Sequence, residues 1–477
     1  MVGALAVAAA WWLLDLLVLR AGVPDRLDDT WEYGVVARSL LAGEGFRTSV
    51  IHPPLWGLRD AAFTVPVLVH GPLIPLLLAP FLALLGPGAL DGIVWLAAFG
   101  AFAAVAPLVR LGERCGGGAI GFAAAALWTL SPLTVRSVHH DVSLTIGAAL
   151  LIAALELITR PPAAGGPHRF AGGIALGLAC LTRHELLAAL PLFALASGAA
   201  GWRMLAGAAL CLLPWWVHHA LAVGQPLFNL SSYLAVGYWG GWPGISVLRD
   251  FSLTPDRFSG VLAASFPEIL GKWTSFAPHA IKRALLAPIP ALGWLAVLGA
   301  LFGVLSVPKR RATWMFLAVA MIPIVVMTVT LYDDRYLVPF LPLYALAVAS
   351  GAHLLAQRLP WWMHHPRAWI GLLLLAALPA AAPALREGAS QARRDAEILV
   401  AERAALREWT QRAEAGAARP VHSDTPDFVA WTTGRPTLWL TAEENARLPL
   451  QPGASGLPAR ADADRAWFHP PDSGISR

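Results

Sequence analysis

The chain has 477 residues, 57% of them hydrophobic and 14% charged, with a formal charge of +5. Soluble domains carry roughly 25% charged residues, so this composition excludes an ordinary soluble fold. The basic residues sit singly in short segments between apolar blocks, which is not the pattern of a nucleic-acid surface. Cys115, Cys180 and Cys211 are far apart and have neither disulfide nor metal-ligand spacing.

Crossing about 30 Å of hydrocarbon takes roughly 20 apolar residues. Runs near that length lie at 3–19, 92–109, 119–135, 142–158, 204–223, 285–307, 312–331, 337–355 and 368–385. The first lacks a basic leader and a small-residue cleavage site, and reads as a retained membrane helix. Two shorter runs, 170–181 and 186–198, flank Thr182-Arg183-His184-Glu185 and read as a helical hairpin. A further stretch, 63–86, is apolar but carries Pro66, His70, Gly71, Pro72, Pro75 and Pro80, and either spans the membrane or lies at its surface within the first large loop.

Loop charge decides how that stretch counts. With 63–86 left out and the N-terminus cytoplasmic, Arg110, Arg114, Arg160, Arg169, Arg203 and the Lys309-Arg310-Arg311 cluster all fall inside. Letting 63–86 cross would move that cluster outside. The sequence therefore predicts an all-α polytopic membrane protein of about eleven spans, comprising a membrane module, 1–385, with long external loops 20–91 and 224–284. A small external α/β domain, 386–477, follows. Within it 386–415 is helical in pattern, Pro420 to Asp424 and Arg435 to Leu440 read as strands around a helical turn, and 451–477 is loosely ordered.

Carboxylates beside a membrane helix need water or a task. Asp28 and Asp29 follow the first span, and Asp29 with Glu32 also fits a capping box opening a helix that ends at Gly43. His52 precedes Pro53-Pro54, which holds its backbone extended; it is either a phosphate-binding donor or a surface turn. Asp141, after His139-His140, is an N-cap or a second site carboxylate. Asp29, Asp141 and His140 are the candidate ligands for a divalent metal. Arg183 and Glu185 are charges near membrane depth, in a functional site or a structural salt bridge. Arg335-Tyr336 suits a lipid phosphate held by a bidentate guanidinium, or plain interfacial anchoring. The 21 tryptophans fit interfacial belts.

Several segments together resemble the GT-C superfamily of membrane glycosyltransferases, in particular bacterial relatives of protein O-mannosyltransferases and aminoarabinose transferases. They are Asp29-x-x-x-Tyr33-x-x-x-Ala37-x-x-Leu40-x-x-Gly43-x-Gly45, His52-Pro53-Pro54-Leu55, Asp141 at a helix start, and Gly177-Leu-Ala-Cys-Leu-Thr-Arg183. Arg335-Tyr336-x-x-Pro339-x-x-Pro342 and Ser423-Asp424-x-Pro426-x-x-Val429-Ala-Trp431-x-x-Gly434-Arg435-Pro436 complete the set. The resemblance implies a polyprenyl-phosphate-sugar donor, used on the extracytoplasmic face of a bacterial inner membrane. It implies an acceptor that is a glycan, lipid or protein, and no nucleic acid.

The resemblance places the catalytic first-loop carboxylate at Asp29, with Asp28 beside it, and the second acidic position at Asp141. His52 stands where relatives often carry Lys. An inverting displacement then has Asp29 as general base, with Arg183, Arg335, Tyr336 and His52 serving the leaving phosphate. Acceptor selection is expected in the 224–284 loop, with Tyr233, Tyr238, Trp239, Trp242 and Trp273. The rival readings are a transporter or flippase of lipid-linked sugars, and a polymer ligase using a lipid-pyrophosphate donor. The first calls for inverted repeats, which are not found. The second calls for more cations than Arg249, Arg257, Lys272, Lys282 and Arg283 in the 224–284 loop.

Overall fold

A computed structural model describes residues 1–15, 29–160, 167–237, 245–286, 310–329, 333–358, 365–412, 420–423, 425–441, 443–444 and 447. Asp28, Asp424, Tyr238, Trp239, Trp242 and the run 285–307 beyond Leu286 lie outside these residues. Among the described residues three helices are long and apolar enough to cross a membrane: Pro87–Gly116, Gly198–Val223 and Asp334–Ala356. Gly118–Leu130 and Pro132–His140 form a further candidate, bent by 52°, where Pro132 cannot continue the preceding helix's hydrogen bonding and Ser131 is extended. Each of these falls on an apolar run read from the sequence, and the chain is a multi-pass membrane protein. The stretch 63–86 holds the helix Leu73–Leu85 of 13 residues. At 1.5 Å per residue that is about 20 Å, short of the hydrocarbon thickness.

The chain divides into two compact units. The first comprises Met1–Val23, Val94–His218 and Leu270–Gln391. Here small residues let helices meet backbone to backbone. A Cβ placed on Gly173 would lie 2.0 Å from the carbonyl oxygen of Met204, and one on Gly207 2.2 Å from that of Phe170. Close approach of this kind is how helices associate where lipid removes the hydrophobic drive. Gly173→Leu is therefore expected to force the Pro167–Thr182 and Gly201–Val223 helices apart. A loss at or above the upper end of the usual overpacking range, about 3 kcal/mol, should appear as a lowered Tm in detergent. Gly177→Ala, whose Cβ would meet Ala208 at 2.9 Å, should cost less.

The second unit comprises Pro24–Ile93, His219–Ile269 and Ala392–Arg477. It holds five short strands: β1 Arg47–Thr48, β2 Val50–Ile51, β3 Val65–Pro66, β4 Val421–Ser423 and β5 Thr437–Trp439. β1 pairs antiparallel with β3, while β5 lies between β2 and β4, parallel to both. The two C-terminal strands and the helix Pro426–Thr433 between them match the sequence expectation. They do not stand apart, however: they share a sheet with the first loop. One apolar core joins Ile51, Leu55, Leu68, Phe228, Tyr233 and Leu438. Tyr233 is a buried core residue whose hydroxyl donates to the Thr254 carbonyl at 2.7 Å, so it offers no exposed ring to an acceptor.

Candidate functional site

In the second unit the first-loop helix runs Thr30–Leu41 from an N-cap at Asp29. The capping box does not form: Asp29 makes no side-chain cap bond, and Glu32 turns elsewhere. Glu32 is 2% exposed, with its carboxylate 3.1 Å from His70 Nε2 and 3.8 Å from His52 Nε2. Burial alone would raise the Glu32 pKa. The charge of His70, with the help of His52, outweighs it and holds the acid down to about 2. Burial likewise opposes charge on His70, yet Asp29 and Glu32 raise its pKa to about 9. His70 is thus an imidazolium at neutral pH, with Tyr33 edge-on to its ring at 5.1 Å.

His52 has the extended backbone expected before Pro53. Its side chain is neither a surface turn nor an open phosphate donor. It is 4% exposed, and its ring meets Trp439 of β5 edge-on at 5.2 Å. The cation beside the first-loop acids is His70. In sequence, His70-Gly71-Pro72-Leu73 stood in the proline-broken stretch 63–86, where nothing local marked the histidine as facing the first-loop acids.

In the first unit, Asp141 caps the helix Val142–Ile158, taking the Ser143 N–H on Oδ1 at 2.8 Å. Its Oδ2 accepts from Arg183 Nη1 at 2.8 Å. Arg183 is 9% exposed; it also donates to Glu185 and, at 3.2 Å, to Ser143 Oγ. The break between the Pro167–Thr182 helix and the turn His184–Ala188 leaves Arg183 extended, which lets it reach back across to Asp141. The Tyr336 ring lies 5.4 Å from the Arg183 guanidinium and 5.8 Å from that of Arg335. Arg335 lies 3.2 Å from the Asp333 carboxylate, and Arg283 pairs with Asp334 at 2.8 Å. The structure therefore brings Asp141, Arg183, Glu185 and Tyr336 together. It adds a pair the sequence did not mark: fully buried Asp15 bonds His139 Nε2 at 2.9 Å.

Within the first unit Asp141 and His140 are not placed to share a metal ion. Both Asp141 oxygens are engaged, one by an arginine that competes with any cation, and His140 Nε2 lies 3.2 Å from Arg136 Nε. Among the described residues no group of three or more His, Cys, Asp or Glu side chains is placed to hold a metal.

No protein-family model and no curated protein matches the chain. Solved structures do. The oligosaccharyltransferase of Archaeoglobus fulgidus, tethered with an acceptor peptide, aligns with a TM-score of 0.61 at 12% identity, over 93% of this chain and 64% of its own. The same organism's AglB, with an inhibitory peptide and a dolichol-phosphate, gives 0.54 at 14%, over 93% and 64%. ArnT from Cupriavidus metallidurans, bound to undecaprenyl phosphate, gives 0.56 at 13%, over 93% and 86%. The chain spans less than two thirds of the length of those two archaeal structures. The chain shares the fold of these oligosaccharyltransferase and ArnT structures.

Proposed function

We propose that this protein is a glycosyltransferase moving a sugar from a polyprenyl-phosphate-linked donor to a hydroxyl or amine of a glycan, lipid or protein acceptor. It acts on the extracytoplasmic side of a bacterial cytoplasmic membrane, with loops 20–91 and 224–284 and the C-terminal segment external. The observation supporting this most strongly is the fold, shared over 93% of the chain with structures that hold undecaprenyl phosphate or dolichol-phosphate.

The acceptor oxygen or nitrogen attacks the anomeric carbon as the bond from that carbon to the phosphate oxygen breaks, inverting the centre. Asp29 takes the acceptor's proton; Asp28 is its sequence neighbour. The leaving phosphate gains charge, for which Arg335, with Tyr336 beside it, is the proposed cation. In the first loop, His70 and His52 both approach the Glu32 carboxylate, at 3.1 and 3.8 Å. Arg183 is committed to two carboxylates, so its part is to fix Asp141 and Tyr336 and hold that wall in shape. Among the described residues no side-chain group is placed to hold a metal ion, and no step is routed through one.

Purified protein in lipid, given radiolabelled polyprenyl-phosphate sugars, should release or transfer label from at least one. A matched pyrophosphate series should be inert. Turnover of the pyrophosphate donors alone would make the protein a polymer ligase. Lipid-dependent passage of the donor across the bilayer without turnover would make it a transporter.

A further inference from the structure

Between His70 and Asp91 the chain carries no charged side chain, and the helix Leu73–Leu85 has no polar one either. A helix that is apolar all round has to be covered all round. One side is covered: Ile74, Leu78 and Leu82 are buried, and the helix packs with Thr30–Leu41 inside the second unit. The other side carries Leu76, Phe81, Leu84 and Leu85, which are 47, 47, 82 and 70% exposed. Leu77, Phe81 and Leu84 recur at i, i+4 and i+7, so this side is a continuous stripe rather than scattered residues. A bare apolar stripe of this kind marks an interaction surface.

The chain itself says what covers it. From Leu85 it passes through Gly86 into Pro87–Gly116, a helix long and apolar enough to cross a membrane, so the stripe ends where a span begins. Gly86 takes φ +73 and ψ −172, a conformation that glycine alone adopts freely. Its N–H closes the last turn on the Leu82 carbonyl at 2.9 Å. Leu73–Leu85 is thereby a separate helix and not the opening turns of that span, and its 13 residues are too few to cross alone.

We propose that Leu73–Leu85 lies in the membrane interface, with its exposed stripe in lipid and its buried side carrying the helix Thr30–Leu41. An interfacial helix usually turns a charged face to water. Here the first-loop helix occupies that side, which is why Leu73–Leu85 can be apolar throughout. His70 lies three residues ahead of Leu73, and its Nε2 is 3.1 Å from the Glu32 carboxylate. The interface therefore holds this pair at headgroup level, within roughly one helix diameter, 10 Å, of the acyl boundary. The inference deepens the function proposed above and rests on it for one consequence: a lipid-phosphate donor meets the first loop without leaving the bilayer.

The test is the accessibility of nitroxide labels on Phe81→Cys, Leu84→Cys and Leu85→Cys, in the full chain in lipid nanodiscs without donor, with Cys115, Cys180 and Cys211 replaced by alanine. Glu44→Cys, exposed in the same loop, is the water reference. Leu210→Cys, 62% exposed on the helix Gly198–Val223, is the lipid reference. The three labels should match the oxygen-to-nickel-chelate ratio of the Leu210 label, severalfold above that at Glu44. Ratios at the Glu44 level would put the stripe in water and overturn the proposal. Labels shielded from both reagents until the protein is diluted in lipid would place a second copy on the face, and overturn it equally. In case the cysteine-free chain folds poorly, a benzophenone side chain at position 84 of the otherwise native chain should cross-link to lipid; adducts to a second copy, or none, would count against the interface. If the stripe lies in lipid but no polyprenyl-phosphate sugar turns over, the interface stands and the reading of the reaction fails. If sugar is transferred with the stripe in water, the interface fails alone.

Discussion

Asp29→Asn is expected to cut the transfer rate about a thousandfold, in the middle of the range that general acid–base catalysis supplies, while donor binding is retained. The substitution keeps the shape of the side chain and removes only its ability to take a proton. It should not unfold the helix it precedes, because Asp29 makes no side-chain cap bond there. The check is single-turnover transfer from a labelled polyprenyl-phosphate sugar, with donor affinity measured separately. Asp28→Asn, run in parallel, should lose far less. If the two losses were reversed, Asp28 would be the base. If Asp29→Asn lost affinity and rate together, its role would be in binding. One side effect is expected: Asp29 is the largest cause raising His70, so the variant should also deprotonate His70 at lower pH.

Arg183→Met is expected to be the most damaging single change to stability. Arg183 bonds both Asp141 and Glu185 with little exposure, and removing it leaves both buried carboxylates without the guanidinium that pairs them. Breaking a buried pair in this way costs about 3–5 kcal/mol, a large part of the stability of a typical domain. The readout is the fraction of protein that remains monodisperse in detergent, together with its Tm. Adding Asp141→Asn and Glu185→Gln to Arg183→Met should restore much of the loss, since neutral groups no longer need the guanidinium. Arg183→Lys should recover only part, because an ammonium cannot present the planar fork that bonds both carboxylates and Ser143. If the single variant were as stable as wild type, the cluster would not be the support of the Tyr336 wall.

The fold class was readable in the sequence because lipid imposes a one-dimensional rule: a spanning helix must be apolar along its length. That rule marks the runs that become Pro87–Gly116, Gly198–Val223 and Asp334–Ala356. The proline-broken stretch 63–86, which the sequence left open and loop charge set aside as a span, holds the short helix Leu73–Leu85. Local backbone chemistry was legible too: Asp141 is the N-cap its position suggested, and His52 is extended before its prolines. The first-loop acid and the hairpin arginine were visible as charges where charge is expensive.

What tertiary structure decided was which charges face one another. Glu32 reads as the second half of a capping box, because sequence records that it lies three residues after Asp29. It does not record that His70, on a separate turn of chain, arrives 3.1 Å away. A stronger partner outside the helix draws the carboxylate from the local bond. The same holds for His52, whose polar label suggested exposure until β5 brought Trp439 against it. β5 itself looked like part of a separate appendage. Its two edges are backbone hydrogen-bonding groups, which carry no residue identity, and a strand so short can satisfy them with any neighbour that packing supplies. Here the neighbours are β2 of the first loop and β4, and that pairing joins the C-terminal strands to the first loop.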